Sequence, residues 1–161
     1  MHRQWHEVSA CCLLLVVACA LALAAQVTSP FAGTWKLNRS KSTYDPGPPP
    51  TREVTVLVEA RANGEAVIQE QVDPQGRTTG VEFTATFDGK TYPIEGDPSR
   101  DSVSNARIDE HSFEATFRKG GKVVTVNRTT VSRDGKVRTV TVTGTDSKGR
   151  PIHNVVVFDR Q

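Results

Sequence analysis

The sequence predicts an all-β, antiparallel fold laid out as a meander, and three observations carry that reading. Past Gln26, short segments rich in Val, Thr, Ile and Phe recur about every eight to twelve residues between Gly, Asp, Asn and Pro turns. No stretch there repeats its apolar residues at helical spacing. Finally, Asn63-Gly64, Asp88-Gly89, Gly120-Gly121 and Asp134-Gly135 supply the positive φ angles that tight two-residue hairpins need. Strands joined so tightly must lie side by side, which gives an up-and-down order in a sandwich or a barrel.

Residues 1–25 differ in kind from the rest. A polar start with Arg3 precedes an unbroken run of Ala, Cys, Leu and Val from Ala10 to Ala25. A weakly basic start, an apolar middle and a small-residue exit describe a secretory signal peptide cut after Ala24 or Ala25. The apolar run falls short of the roughly 20 residues a spanning helix needs. An uncleaved anchor and lipid attachment at Cys19, in Val16-Val17-Ala18-Cys19, are the competing readings. All three cysteines, Cys11, Cys12 and Cys19, lie in this leader. Residues 26–161 therefore have no disulfide framework and must be held by a hydrophobic core. The expected destination is secreted or periplasmic.

The predicted strands run Gly33–Asn38, Glu53–Ala60, Ala66–Val72, Gly80–Phe87, Thr91–Glu95, Ser102–Asp109, Ser112–Arg118, Lys122–Ser132, Val137–Thr145 and Ile152–Asp159. Strict alternation marks the clearest of them. Val81, Phe83, Ala85 and Phe87 share one face, and Phe113, Ala115 and Phe117 repeat the pattern. "FTATFDGK" and "FEATFRKGGK" look like a repeat, but with no third copy they read as two hairpins solving one problem. Between the first two strands, residues 39–51 hold Pro46 and Pro48 to Pro50. Such a segment stays extended, as a strap over one end of the fold or as a partner-binding segment.

Catalytic patterns are missing. His111, in "DEHS", reads as a turn residue, and His153 as a strand residue near the rim; neither has metal-ligand spacing around it. The chain carries no nucleophile elbow, phosphate-cradling loop or paired carboxylates. Asn38-Arg39-Ser40 and Asn127-Arg128-Thr129 fit the glycosylation sequon, which matters only in a eukaryotic secretory host. A net charge of +2, evenly spread, makes no case for nucleic acid. No enzyme activity, cofactor or metal is expected. Two strand arginines stand apart: Arg128 alternates with Val124 and Val126, and Arg138 with Val140 and Val142. A charge on the apolar side of a strand is costly unless it is paired or meets a ligand anion. Val and Thr occupy both faces of these strands, so periodicity cannot choose, and the solvated face is the favoured reading for both arginines.

"FAGTWKLN", with about nine further strands and a closing "NVVVFDRQ", resembles the calycin superfamily of lipocalins and intracellular fatty-acid-binding proteins. "RDGKVRTVTVTG" is similar to their late Asp-Gly-Lys hairpin. The chain from Gln26 also resembles a group of secreted bacterial lipocalin-like proteins with "GTWKLN", a Gly-Pro-rich strap, "FDGK" and a "GGKVV" hairpin. The resemblance implies one up-and-down barrel of about ten strands. Gly33 and Trp35 would close its base, and a late Arg such as Arg160 would cover the Trp ring. It implies an interior that takes a small apolar or amphiphilic ligand, with Arg128, Arg138, Phe83, Phe113, Val156 and Phe158 as candidate contacts. The alternative is a filled barrel serving as a non-catalytic interaction module of the envelope. Where fatty-acid-binding proteins carry Arg-x-Tyr on the last strand, this chain has Val156 and Phe158, so that carboxylate site does not transfer. A monomer is expected, touching a membrane only through an uncleaved or lipidated leader.

Overall fold

The computed structural model describes residues 28–49, 51–146 and 148–161. The leader, with its expected cleavage at Ala24 or Ala25 and the alternative at Cys19, lies outside the described residues. Ten strands follow in chain order: β1 (Gly33–Leu37), β2 (Glu53–Arg61), β3 (Gly64–Val72), β4 (Thr78–Thr86), β5 (Tyr92–Pro93), β6 (Ser102–Arg107), β7 (Ser112–Lys119), β8 (Lys122–Val131), β9 (Val137–Thr145) and β10 (Pro151–Arg160).

They make one antiparallel sheet in the order β4-β3-β2-β1-β10-β9-β8-β7-β6-β5. Each strand pairs with its sequence neighbour except at β4 and β5, and β1 closes back on β10. The result is an up-and-down barrel, nearly closed. At the remaining seam Glu82 and Glu95 exchange backbone hydrogen bonds of 3.0 and 2.9 Å. Gly89 N–H adds one of 3.0 Å to the Asn105 carbonyl, and Thr86 Oγ1 meets the Tyr92 hydroxyl at 2.6 Å. The strand expected over Thr91–Glu95 shrinks to Tyr92–Pro93, as suits an edge position where Pro93 has no N–H to donate.

Turn chemistry explains the hairpins. Lys119 pairs with Lys122 around Gly120 (φ 57°) and Gly121 (φ 78°), the double positive φ of a type I′ turn. At Asn63-Gly64 the roles divide differently. Asn63 takes the positive φ (95°), while Gly64 enters β3 and lies against the Ala85 carbonyl.

The base of the barrel is built around Trp35. It is fully buried, and its Nε1 donates to the Phe31 carbonyl at 2.9 Å. Register places Trp35 opposite Arg160 on β10. The guanidinium carbon of Arg160 sits 4.2 Å from the indole ring centre, as the sequence suggested, a contact worth about 0.5–2 kcal/mol. The same guanidinium donates to the Pro30 carbonyl at 2.8 Å and to the carbonyls of Ala32 and Gly135. It thereby ties the entry of β1 to the β8–β9 turn.

Gly33 is what lets that guanidinium in. A Cβ there would overlap Arg160 Nη1, and the backbone sits at φ 130°. Gly33→Ala is expected to cost about 1–3 kcal/mol in urea unfolding; an unchanged midpoint would remove Arg160 from the closure. Beside the indole, Phe31, Phe87 and Phe113 form a ring cluster with centroids 4.9 to 6.0 Å apart.

The repeat-like strands β4 and β7 line the interior on either side of the seam. Phe83 meets Phe117 edge-on at 6.3 Å and Phe87 meets Phe113 at 5.2 Å. The strap continues β1. After a 3-10 turn over Arg39–Lys41, capped by the Asn38 side chain, Thr43 bridges Val155. His153 N–H then donates to the Asp45 carbonyl at 2.7 Å. The strap thus takes the place beside β10 that the short β1 leaves empty.

Candidate binding cavity

Above the aromatic base the barrel is hollow, with a cavity of about 500 Å³. Because side chains alternate across each strand, residues two apart form its walls. Val54 and Val56 come from β2, Val81 and Phe83 from β4, Ala115 and Phe117 from β7, Val140 and Val142 from β9, and Ile152 and Val156 from β10. Two strands break the apolar rule. Strand β3 turns Glu65, Val67, Gln69 and Gln71 inward while Ile68, 47% exposed, faces out. Strand β8 turns in Thr125, Asn127 and Thr129.

Three of the inward polar residues form the floor, one layer above the ring cluster. Glu65, Asn105 and Arg138 come from β3, β6 and β9 and are all buried. Asn105 Nδ2 donates to Glu65 Oε1 at 3.3 Å. Burial pushes the Glu65 carboxyl up from its usual value, while the charge of Arg138, the Asn105 hydrogen bond and the charge of Arg107 pull it back. Burial likewise lowers Arg138, and Glu65 opposes that shift. The two groups therefore stabilise each other's charged forms. Yet Glu65 Oε2, Asn105 Oδ1, Asn127 Oδ1, Thr125 Oγ1 and Arg138 Nη1 are buried with no hydrogen-bond partner among the described residues. So many unmet groups around one space are unusual in a protein interior. A filled apolar core would not keep them.

The mouth lies at the opposite end, where Tyr44 of the strap, Arg100 and Asp146 reach the cavity. Arg100 is paired to Asp97 at 2.5 Å and stacks 4.4 Å from the Phe117 ring centre. It is held as part of the wall rather than free to swing.

Of the residues singled out in the sequence, Arg138, Phe83, Phe113, Val156 and Phe158 all line the cavity. Arg128 does not: it is exposed on the outer face, since Thr129 and Val131 set the inward phase of β8. Arg138 is the reverse of the favoured solvated reading, at 7% exposed. His153 is exposed on β10, and His111 sits in the turn before β7, where its N–H donates to Asp109 Oδ1 at 2.8 Å. No group of His, Cys, Asp and Glu among the described residues is placed to hold a metal ion. Glu65 and Asn105 were missed. Glu65 falls just before the strand expected from Ala66, and both lie in segments where periodicity leaves the inner face open.

No family model matches the chain, and no curated protein matches it. Among solved structures, the crystal structure of zebrafish ileal bile acid-binding protein complexed with cholic acid is similar. Its TM-score is 0.51 and its identity 14%, over 83% of this chain and 100% of that one. At that identity the likeness is one of fold alone.

Proposed function

We propose that the protein is a non-catalytic carrier that takes a small apolar or amphiphilic molecule into its barrel, and that it acts outside the cytoplasm after export by its leader. The carrying observation is the cavity of about 500 Å³, mostly apolar around its walls and polar at its floor. Ligand sites have this character, mostly apolar with a few converging polar groups, and lie in the mouths of barrels. The solved neighbour is complexed with cholic acid, a ligand of the same amphiphilic kind, which supports the reading. The kinship with secreted bacterial lipocalin-like proteins belongs to the same proposal. A filled interaction module is disfavoured by the hollow interior.

The test is a titration of the protein, expressed with its own leader, with an environment-sensitive apolar dye, beside native mass spectrometry for co-purified mass. Saturable binding of one dye per chain is expected. Val140→Trp, which fills the cavity from β9, is expected to abolish that binding while the barrel stays folded by circular dichroism. No saturable dye binding together with no carried mass would end the carrier reading. Dye binding that Val140→Trp leaves intact would move the site to the outer surface.

A further inference from the structure

The floor of the cavity says what kind of head group the cargo carries. Arg138 cannot shed its proton in a protein, so a buried guanidinium there needs a counter-charge. Glu65 is the only buried carboxyl among the described residues and lines the same cavity as Arg138, where each favours the charged form of the other. Arg107, the other cation acting on Glu65, is exposed at the base and stacks 4.2 Å from the Phe87 ring centre, away from the cavity walls. The floor thus sets one buried guanidinium against one buried carboxyl, with no second buried cation among the described residues to receive an incoming anion. The unmet atoms in and around the floor are Arg138 Nη1 on the donor side and Glu65 Oε2, Asn105 Oδ1 and Asn127 Oδ1 on the acceptor side, with the Thr125 hydroxyl able to serve as either.

Resting on the carrier reading, we propose that the cavity selects an amphiphile whose head group is uncharged when bound and both donates and accepts hydrogen bonds, such as a hydroxyl or a primary amide, and that Glu65 enforces this choice. A hydroxyl head can accept from Arg138 and donate to Glu65 or Asn127. A carboxylate head at Arg138 would put a second anion beside Glu65 in a desolvated site. Two neighbouring carboxylates cannot both ionise there at ordinary cost, so the acid binds only by bringing a proton with it. The selectivity is repulsive in origin: it comes from what Glu65 rejects.

The experiment compares dodecanol, dodecanamide and dodecanoate as competitors of the dye at about pH 8, where a free carboxylic acid is ionised. The alcohol and the amide are expected to bind at least about tenfold more tightly than the acid, a difference of about 1.4 kcal/mol. Glu65→Gln keeps the shape and removes the charge. It is expected to raise the affinity for dodecanoate relative to that for dodecanol by about tenfold or more. Wild-type binding of the acid as tight as that of the alcohol would overturn the inference while the carrier reading stands. So would an unchanged acid-to-alcohol ratio in a folded Glu65→Gln protein. The wild-type comparison decides the matter if that variant does not fold. Failure of all three ligands to displace a dye that itself binds would sink this inference alone; failure of the dye as well would sink the carrier reading beneath it.

Discussion

Trp35→Ala is expected to lower the unfolding free energy by about 3–5 kcal/mol, among the largest effects of any single apolar truncation in this barrel. Trp35 is fully buried, with Phe31, also fully buried, beside it. Truncation leaves a void that the strand backbones of β1, β2 and β10 cannot close, because their ladders fix the spacing. Two polar consequences add to the void. The Phe31 carbonyl loses its indole donor, and the Arg160 guanidinium loses the ring it covers. Urea unfolding followed by far-ultraviolet circular dichroism measures the loss without the indole signal. A cost below about 1 kcal/mol would mean that the base closes without the tryptophan.

Arg138→Met is the second large expectation, at about 3–5 kcal/mol near neutral pH, because it strands the buried Glu65 carboxyl. Its pH dependence follows from the direction of the Glu65 shift. Burial raises Glu65 in the folded state above its unfolded value. Its contribution is therefore complete below the ordinary carboxylate range and is lost as pH rises through the raised folded value. Taking away Arg138 removes a cation that pulls that value back, so the variant loses more stability than the wild type as pH rises from acid to neutral. Adding Glu65→Gln to Arg138→Met is expected to flatten this dependence and restore most of the stability. A pH-independent cost for Arg138→Met, unaltered by Glu65→Gln, would show that the two residues are not coupled.

What the sequence made legible follows from local physics. Alternation in β4 and β7, the Gly120-Gly121 hairpin and the spacing of turns are set within a few residues, so the ten-strand meander can be read directly. The base was readable too, since Gly33, Trp35 and Arg160 form a compact set with one chemical logic. The floor was not. Period-two alternation divides a strand into two faces without saying which is inside. The usual guide, that the apolar face is the inner one, inverts where a cavity is lined by polar groups. In β3 the inward set is Glu65, Val67, Gln69 and Gln71, while Ile68 lies outside beside Leu57. In β8, Thr125, Asn127 and Thr129 point in, so Arg128 lies on the solvated face, as the favoured reading had it, although it alternates with Val124 and Val126. Arg138 shares the inner phase of Val140 and Val142 on β9, and only closure of the barrel reveals that this phase faces the cavity. Glu65, Asn105 and Arg138 lie on strands far apart in the chain, and no local pattern joins them. Their signature in the sequence is the mismatch itself: polar residues in step with Val67 and with Val140.

Backbone amide chemical shifts during a titration with dodecanol report where on the barrel a ligand sits. Saturable shifts are expected at inward positions around the cavity, Val67, Phe117, Val140 and Arg138, with Arg128, Leu57 and Ile68 on the outer face unmoved. Shifts confined to Leu57, Ile68 and their outer neighbours, or none at all at ligand excess, would contradict binding inside the barrel.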